Sequence, residues 1–158
     1  MRAFFLIQDL VTDVSLNYGV KKRGKPFTPR LPDAEDGTWR MVQADVERVQ
    51  EFRKCIGCYL CQDVCHVIRD HRLHHEFIGL RFFVYSTTLK MHPLDIKDRA
   101  DSLGYGHGIG YCNITKCCTK VCPEEITIID NAIISLKEHV VDKLYGPLSK
   151  FLSVLTSR

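Results

Sequence analysis

No stretch of about 18 apolar residues occurs in this sequence, so no segment is expected to span a bilayer. No signal peptide with an apolar core opens it, which argues against a disulfide framework of the secreted kind. Neither sign of charge dominates: 22 Lys and Arg against 19 Asp and Glu leave a formal +3. That balance, with no basic stripe interleaved with aromatics, argues against nucleic acid as a partner. The run Gly104-Tyr105-Gly106-His107-Gly108-Ile109-Gly110 lacks the strand–turn–helix setting of a phosphate loop, so it is read as a flexible loop and not a nucleotide site. What is present is 158 residues with 45% apolar content, enough for one domain with a modest core.

Cysteine is the residue in surplus. Eight cysteines fall in two groups. The first reads Cys55-x2-Cys58-x2-Cys61-x3-Cys65. The second reads Cys112-x2-Thr115-x2-Cys118-x3-Cys122, closed by Pro123, with Cys117 inserted beside Cys118. C-x2-C-x2-C-x3-C-P is the run that wraps cubane clusters in bacterial ferredoxins, where the fourth cysteine ligates the other cluster. The two-residue gaps let a tight loop turn successive sulfurs toward one cubane, and the three-residue gap is about one helical turn. A [4Fe-4S] cluster is therefore expected on Cys55, Cys58, Cys61 and Cys122. A second cluster is expected on Cys65, Cys112 and Cys118, where Thr115 replaces the fourth ligand; three thiolates suit a [3Fe-4S] cluster. Cys117 is expected to be no ligand, because neighbouring residues do not both turn sulfurs into one small cubane, and to pack as a small buried apolar side chain. Electron transfer in a reducing compartment is the chemistry this pattern implies.

Along the chain, Phe4 to Tyr18 suits an extended entry followed by a helical turn. The charged, Pro- and Gly-bearing stretch from Lys21 to Gly37 reads as an exposed linker. Helical spacing is expected over Gln43 to about Arg53, after Cys61 toward Arg69, and over Phe77 to Leu89, where β-branched residues leave a strand open. A short helix is expected from Asp95 toward Leu103. Asn131 is expected to cap a helix through Leu144 that Gly146-Pro147 stops, and Leu148 to Leu155 to form a last amphipathic helix. His71, His74 and His75 read as solvated surface. The expected fold is mainly α, an alpha-helical ferredoxin-like domain with two cysteine-rich cluster loops over 41–158, preceded by an entry segment and linker over 1–40.

With Thr115 in place of a cysteine and Cys118-x3-Cys122-Pro123 closing the second group, the pattern resembles the iron–sulfur subunit of succinate dehydrogenase and fumarate reductase. Ile7-Gln8-Asp9-Leu10-Val11-Thr12-Asp13, Phe77-Ile78-Gly79 and the helix after Pro123 fit as well. The resemblance implies an electron-transfer subunit of such an enzyme complex, without a succinate site of its own. It implies a FAD-containing flavoprotein and a membrane anchor as partners, a quinone as acceptor, and peripheral attachment at the cytoplasmic face of the bacterial inner membrane. The chain departs from the family in three ways. No plant-type C-x4-C-x2-C run precedes Cys55, so a [2Fe-2S] cluster is expected elsewhere, the chain being a fragment, its start misplaced, or another polypeptide supplying it. His66 and Asp70 stand where proline and tryptophan are common, and Asn113 where histidine is frequent. These three are the expected edge of a quinone site. Two other readings remain: a subunit similar to that of heterodisulfide reductases, with two [4Fe-4S] clusters and Cys117 as the added thiolate, or a zinc-stabilised interaction module.

Overall fold

The computed structural model describes residues 3–146, so the expected helix over Leu148 to Leu155 lies outside the described residues. The entry segment is a hairpin: β1 (Phe5–Gln8) pairs antiparallel with β2 (Val11–Asp13), with an irregularity between Leu6 and Gln8. Asp13 Oδ1 then accepts the Ser15 N–H at 2.8 Å, ahead of helix α1 (Ser15–Arg23). Lys21, Lys22 and Arg23 complete its last turn, where cations oppose the negative end of the helix dipole. The helix therefore reaches into what the sequence presents as linker.

The rest of that stretch is exposed for the most part but tied down. Pro29 bridges Asp95, Arg30 N–H donates to Leu94 O at 2.8 Å, and Ile96 N–H donates to Thr28 O at 3.0 Å. Arg99 is the hub. Its guanidinium donates to the carbonyls of Lys25, Pro26 and Lys97 and pairs with Asp95 Oδ2 at 2.7 Å, with side chains 3% and 0% exposed. This use of Asp95 is why no helix opens there. The helix begins at Ala100, whose N–H is taken by Asp98 Oδ1, and widens into a π-turn over Ser102–Gly106. A 3-10 turn, Ile109–Tyr111, follows, so the glycine-rich stretch expected as a flexible loop is largely helical. Gly108, φ +65°, allows it: a Cβ there would stand 2.0 Å from Glu76 O.

The core is built on α5 (Leu80–Lys90), which buries Leu80, Phe82, Phe83, Val84, Ser86 and Thr87. The open choice over Phe77 to Leu89 resolves to helix because those side chains are needed on more than one face. Helix α2 (Gln43–Arg53) packs on α5 through Val49 and Phe52. On α5 also lies the isoleucine-rich Ile128–Ile134, a π-helical segment leading into α7 (Ser135–Leu144). Asn131 sits inside this segment and does not cap it. Glu51 of α2 does that work from outside, accepting the Thr127 N–H at 2.8 Å and Asn131 Nδ2 at 2.7 Å.

Breaking a buried ion pair from one side leaves an uncompensated charge and costs about 3–5 kcal/mol. Arg99→Met should lower stability by an amount in that range in urea unfolding of the iron-loaded protein. A loss below about 1 kcal/mol, the scale of an exposed pair, would show that Arg99 does not hold the 25–30 strap.

Candidate metal centres

The two cysteine groups are the same loop folded twice. In the first, Gly57 has φ +71° and Tyr59 has φ 61°, ψ 6°. In the second, Ile114 has φ 63° and Lys116 has φ 61°, ψ 6°, at the matching places. Each loop runs into a one-turn helix, α3 (Leu60–Asp63) and α6 (Cys117–Lys120), and these two touch. Left-handed backbone costs a non-glycine residue about 1–2 kcal/mol, so Tyr59, Ile114 and Lys116 are held there by the surrounding fold. Such left-handed kinks in a tight loop form a concave nest of N–H groups of the kind that receives iron–sulfur clusters. Among the described residues, no acceptor takes the backbone N–H groups of 56–61 or of 113–118. Those donors fit a group rich in sulfide.

Position by position, Thr115 has the place of Cys58, Cys118 that of Cys61, and Cys117 that of Leu60, which is 44% exposed and no ligand. Cys117 is only half-buried. Its thiol donates to Val64 O at 3.6 Å and lies 3.3 Å from Thr115 Oγ1. It is thus a hydrogen-bonded thiol, not the buried apolar filler the sequence suggests.

The helix expected after Cys61 is broken at Cys65, which precedes a second one-turn helix, α4 (His66–Arg69). The break carries Cys65 out of its own loop. The thiols act on one another electrostatically across the two groups. Burial, then the charges of Cys118, Cys55, Cys58 and Cys122, push the Cys61 thiol up to about 12. Burial, then Cys117 and Cys112, push Cys118 up to about 12; the Thr119 N–H opposes this, and Cys65 adds to it. Cys65 is raised by burial first, with the N–H groups of Ile68 and Val67 pulling the other way and Cys112 and Cys117 adding to the rise. The last cysteine of each run therefore feels the other run. Cys55, Cys58, Cys61 and Cys122 line one pocket, together with Arg81 and Glu124. Among the described residues, no three His, Cys, Asp or Glu side chains close around a single metal ion. Lys137 Nζ donates to Cys112 O at 2.5 Å, placing a cation at the second group that nothing in the sequence singles out.

His66 and Asp70 share α4 and its end. His66 is half-buried with its ring 6.1 Å from that of His71, while Asp70 is exposed, paired with Arg69 at 3.1 Å. The Arg69 hydrogen bonds hold the Asp70 carboxyl below the usual range. Asn113 is exposed on the other loop. Asp70 lines an open groove with Phe5 and Arg72 to which neither His66 nor Asn113 contributes. His74 is not free surface: its Nε2 lies 2.7 Å from Ala3 O.

Residues 51–126 match the 4Fe-4S dicluster domain family, which agrees with a mainly helical, cysteine-rich ferredoxin-like domain. The fumarate reductase iron-sulfur subunit of Mycobacterium tuberculosis is 29% identical over 154 residues, covering 93% of this chain and 61% of that protein. A subunit of the fumarate reductase (CoM/CoB) of Methanothermobacter marburgensis is 27% identical over 143 residues, 90% of this chain and 28% of that protein. A solved chain described as the Mycobacterium smegmatis Sdh1 complex in the apo form superposes with a TM-score of 0.85 at 53% identity, covering 92% of this chain and 61% of that one. The chain thus spans less than two thirds of these relatives. The resemblance drawn from the cysteine pattern, to the iron–sulfur subunits of fumarate reductase and succinate dehydrogenase complexes, holds across nearly all of it.

Because Cys117 matches Leu60 and not a ligand, Cys117→Ala should retain the iron and sulfide of the parent protein. Cys118→Ala should lose the iron of one centre. Iron analysis of the two anaerobically purified variants tests this, and loss of iron from Cys117→Ala would overturn the assignment.

Proposed function

We propose that this chain is the electron-transfer iron–sulfur subunit of a succinate:quinone oxidoreductase or fumarate reductase, relaying electrons between a FAD-containing flavoprotein and a quinone. The observation that carries the reading is the repeated loop with Thr115 at the place of Cys58. In this reading Cys55, Cys58, Cys61 and Cys122 hold a [4Fe-4S] cluster, and Cys65, Cys112 and Cys118 hold a [3Fe-4S] cluster. When bound, such clusters supply one-electron redox chemistry.

The residues do the rest. Burial of Cys61, Cys65, Cys112 and Cys118 keeps water from the sulfurs between the two sites. The unpaired N–H groups of 56–61 and 113–118 stabilise negative charge there. Thr115 withholds a fourth thiolate, which makes the second site less negative and raises its potential, so electrons run toward it. His66 and Asn113 follow Cys65 and Cys112 in the sequence, and with Asp70, at the end of α4, they are the residues assigned to the edge of the quinone pocket. A [2Fe-2S] cluster belongs to a part of the assembly outside this sequence. Residues 41–158 are the bis-cluster domain, with 1–40 as its entry segment. No helix of the described residues is long and apolar enough to cross a membrane. In the proposed assembly an anchor subunit holds the chain at the cytoplasmic face of the bacterial inner membrane.

One observation favours a second reading. The Cys117 sulfur lies 3.3 Å from Thr115 Oγ1, so a further thiol stands beside the missing ligand and a second [4Fe-4S] cluster, as in heterodisulfide-reductase-like subunits, is the alternative. Electron paramagnetic resonance separates the two. The oxidised protein should show a three-iron signal, with a second centre appearing on reduction; two centres seen only after reduction would favour the alternative. A colourless protein would mean zinc.

Thiolate–metal binding energy becomes folding energy where ligands come from facing loops. Chelating the iron should therefore abolish the cooperative thermal transition followed by circular dichroism. A bleached protein that keeps its transition would contradict this.

A further inference from the structure

Arg81 is the second residue of α5 and lines the same pocket as Cys55, Cys58, Cys61 and Cys122. Its Nε lies 3.6 Å from where a Cβ on Gly57 would stand, so the side chain rests against the loop between Cys55 and Cys58. The helix that carries it is fixed in place. Gly79, φ +92°, precedes α5, and a Cβ on it would stand 2.6 Å from Gln62 Nε2, whose residue is 3% exposed in α3. The close approach of Gly79 to Gln62 ties the first turn of α5 to the first cysteine loop.

Arg81 is half-buried, and among the described residues no ion pair or hydrogen bond engages its guanidinium. A partly buried cation without a direct ion pair is costly. Four thiolates around one iron–sulfur cluster supply that charge, and hydrogen bonds and charge near the sulfurs set the potential of such a centre. At the second loop Ile114 stands at the place of Gly57, and the nearby cation, Lys137, is engaged by Cys112 O.

We propose that Arg81 sets the reduction potential of the centre held by Cys55, Cys58, Cys61 and Cys122, raising it through its charge and N–H donors. Uptake of one electron makes that centre one unit more negative, and the guanidinium stabilises this form over the oxidised one. Glu124, in the same pocket, acts in the opposite sense. The proposal rests on the iron–sulfur reading above, and deepens it.

The test is a potentiometric titration of the protein followed by paramagnetic resonance, for the parent chain and for Arg81→Gln, Arg81→Lys and Glu124→Gln. At the parent midpoint the reduced-to-oxidised ratio of this centre should fall about tenfold in Arg81→Gln, a shift of ~59 mV for a one-electron couple. The second centre should be unmoved. Arg81→Lys, which keeps the charge, should retain most of the parent value, and Glu124→Gln should move the midpoint upward. An unchanged midpoint in Arg81→Gln, or an equal fall in Arg81→Lys, would overturn the role. If Arg81→Gln loads no iron, the Lys and Glu124 variants decide: a parent-like Lys midpoint with an upward shift in Glu124→Gln supports the role, and anything else sinks it. A parent chain without iron defeats the underlying reading and this proposal together, whereas loaded protein with unmoved midpoints defeats the proposal alone.

Discussion

Each of the two cysteine runs sends its last sulfur to the other run's site. Cys65 stands within electrostatic reach of Cys112, Cys117 and Cys118, and Cys122 lines one pocket with Cys55, Cys58 and Cys61. That exchange forces α3 and α6 into contact and places the two left-handed loops on facing sides. The rest of the chain is arranged to hold it. α5 packs against α2, α3 and the isoleucine segment after Cys122, which in turn packs on α6, so α5 braces the first loop directly and the second through that segment. Glu51, just ahead of Cys55, caps the isoleucine segment, and Arg99 locks the early strap.

The cost of this design is local. Within the two cysteine loops Tyr59, Ile114 and Lys116 sit in left-handed conformations, and two buried thiols are pushed up to about 12. In an apolar interior those thiols would stay protonated. A ligated metal reverses that, because the cation favours the thiolate and binding releases the proton. In the proposed reading, folding and metal binding are therefore coupled.

Much of this is visible in the sequence, and the failures have physical reasons. α2 runs from Gln43 to Arg53 as its periodicity predicts, because it shows one apolar stripe to one neighbour. The cysteine spacing displays both loops, since local geometry alone sets which sulfurs can turn inward. Asp95 deceives because it has the look of a helix start, while its carboxylate is spent on Arg99 and the backbone of Thr28 and Lys97. The stretch 104–110 deceives because glycine usually marks a loop; here Gly108 is needed for a close approach to Glu76, and its neighbours stay helical. Asn131 is displaced as a cap by a residue 80 positions away, a partner no local pattern shows. Cys117 reads as filler until its neighbours Thr115 and Val64 O are seen.

In the proposed assignment Thr115 stands at a ligand position and withholds the fourth thiolate of the second centre. Mössbauer spectroscopy of isotope-enriched protein, compared with Thr115→Cys, tests it most directly. The account predicts one cubane and one three-iron centre in the parent chain, and two cubanes in the variant, with the second centre at a lower potential. Two cubanes already present in the parent chain would contradict it.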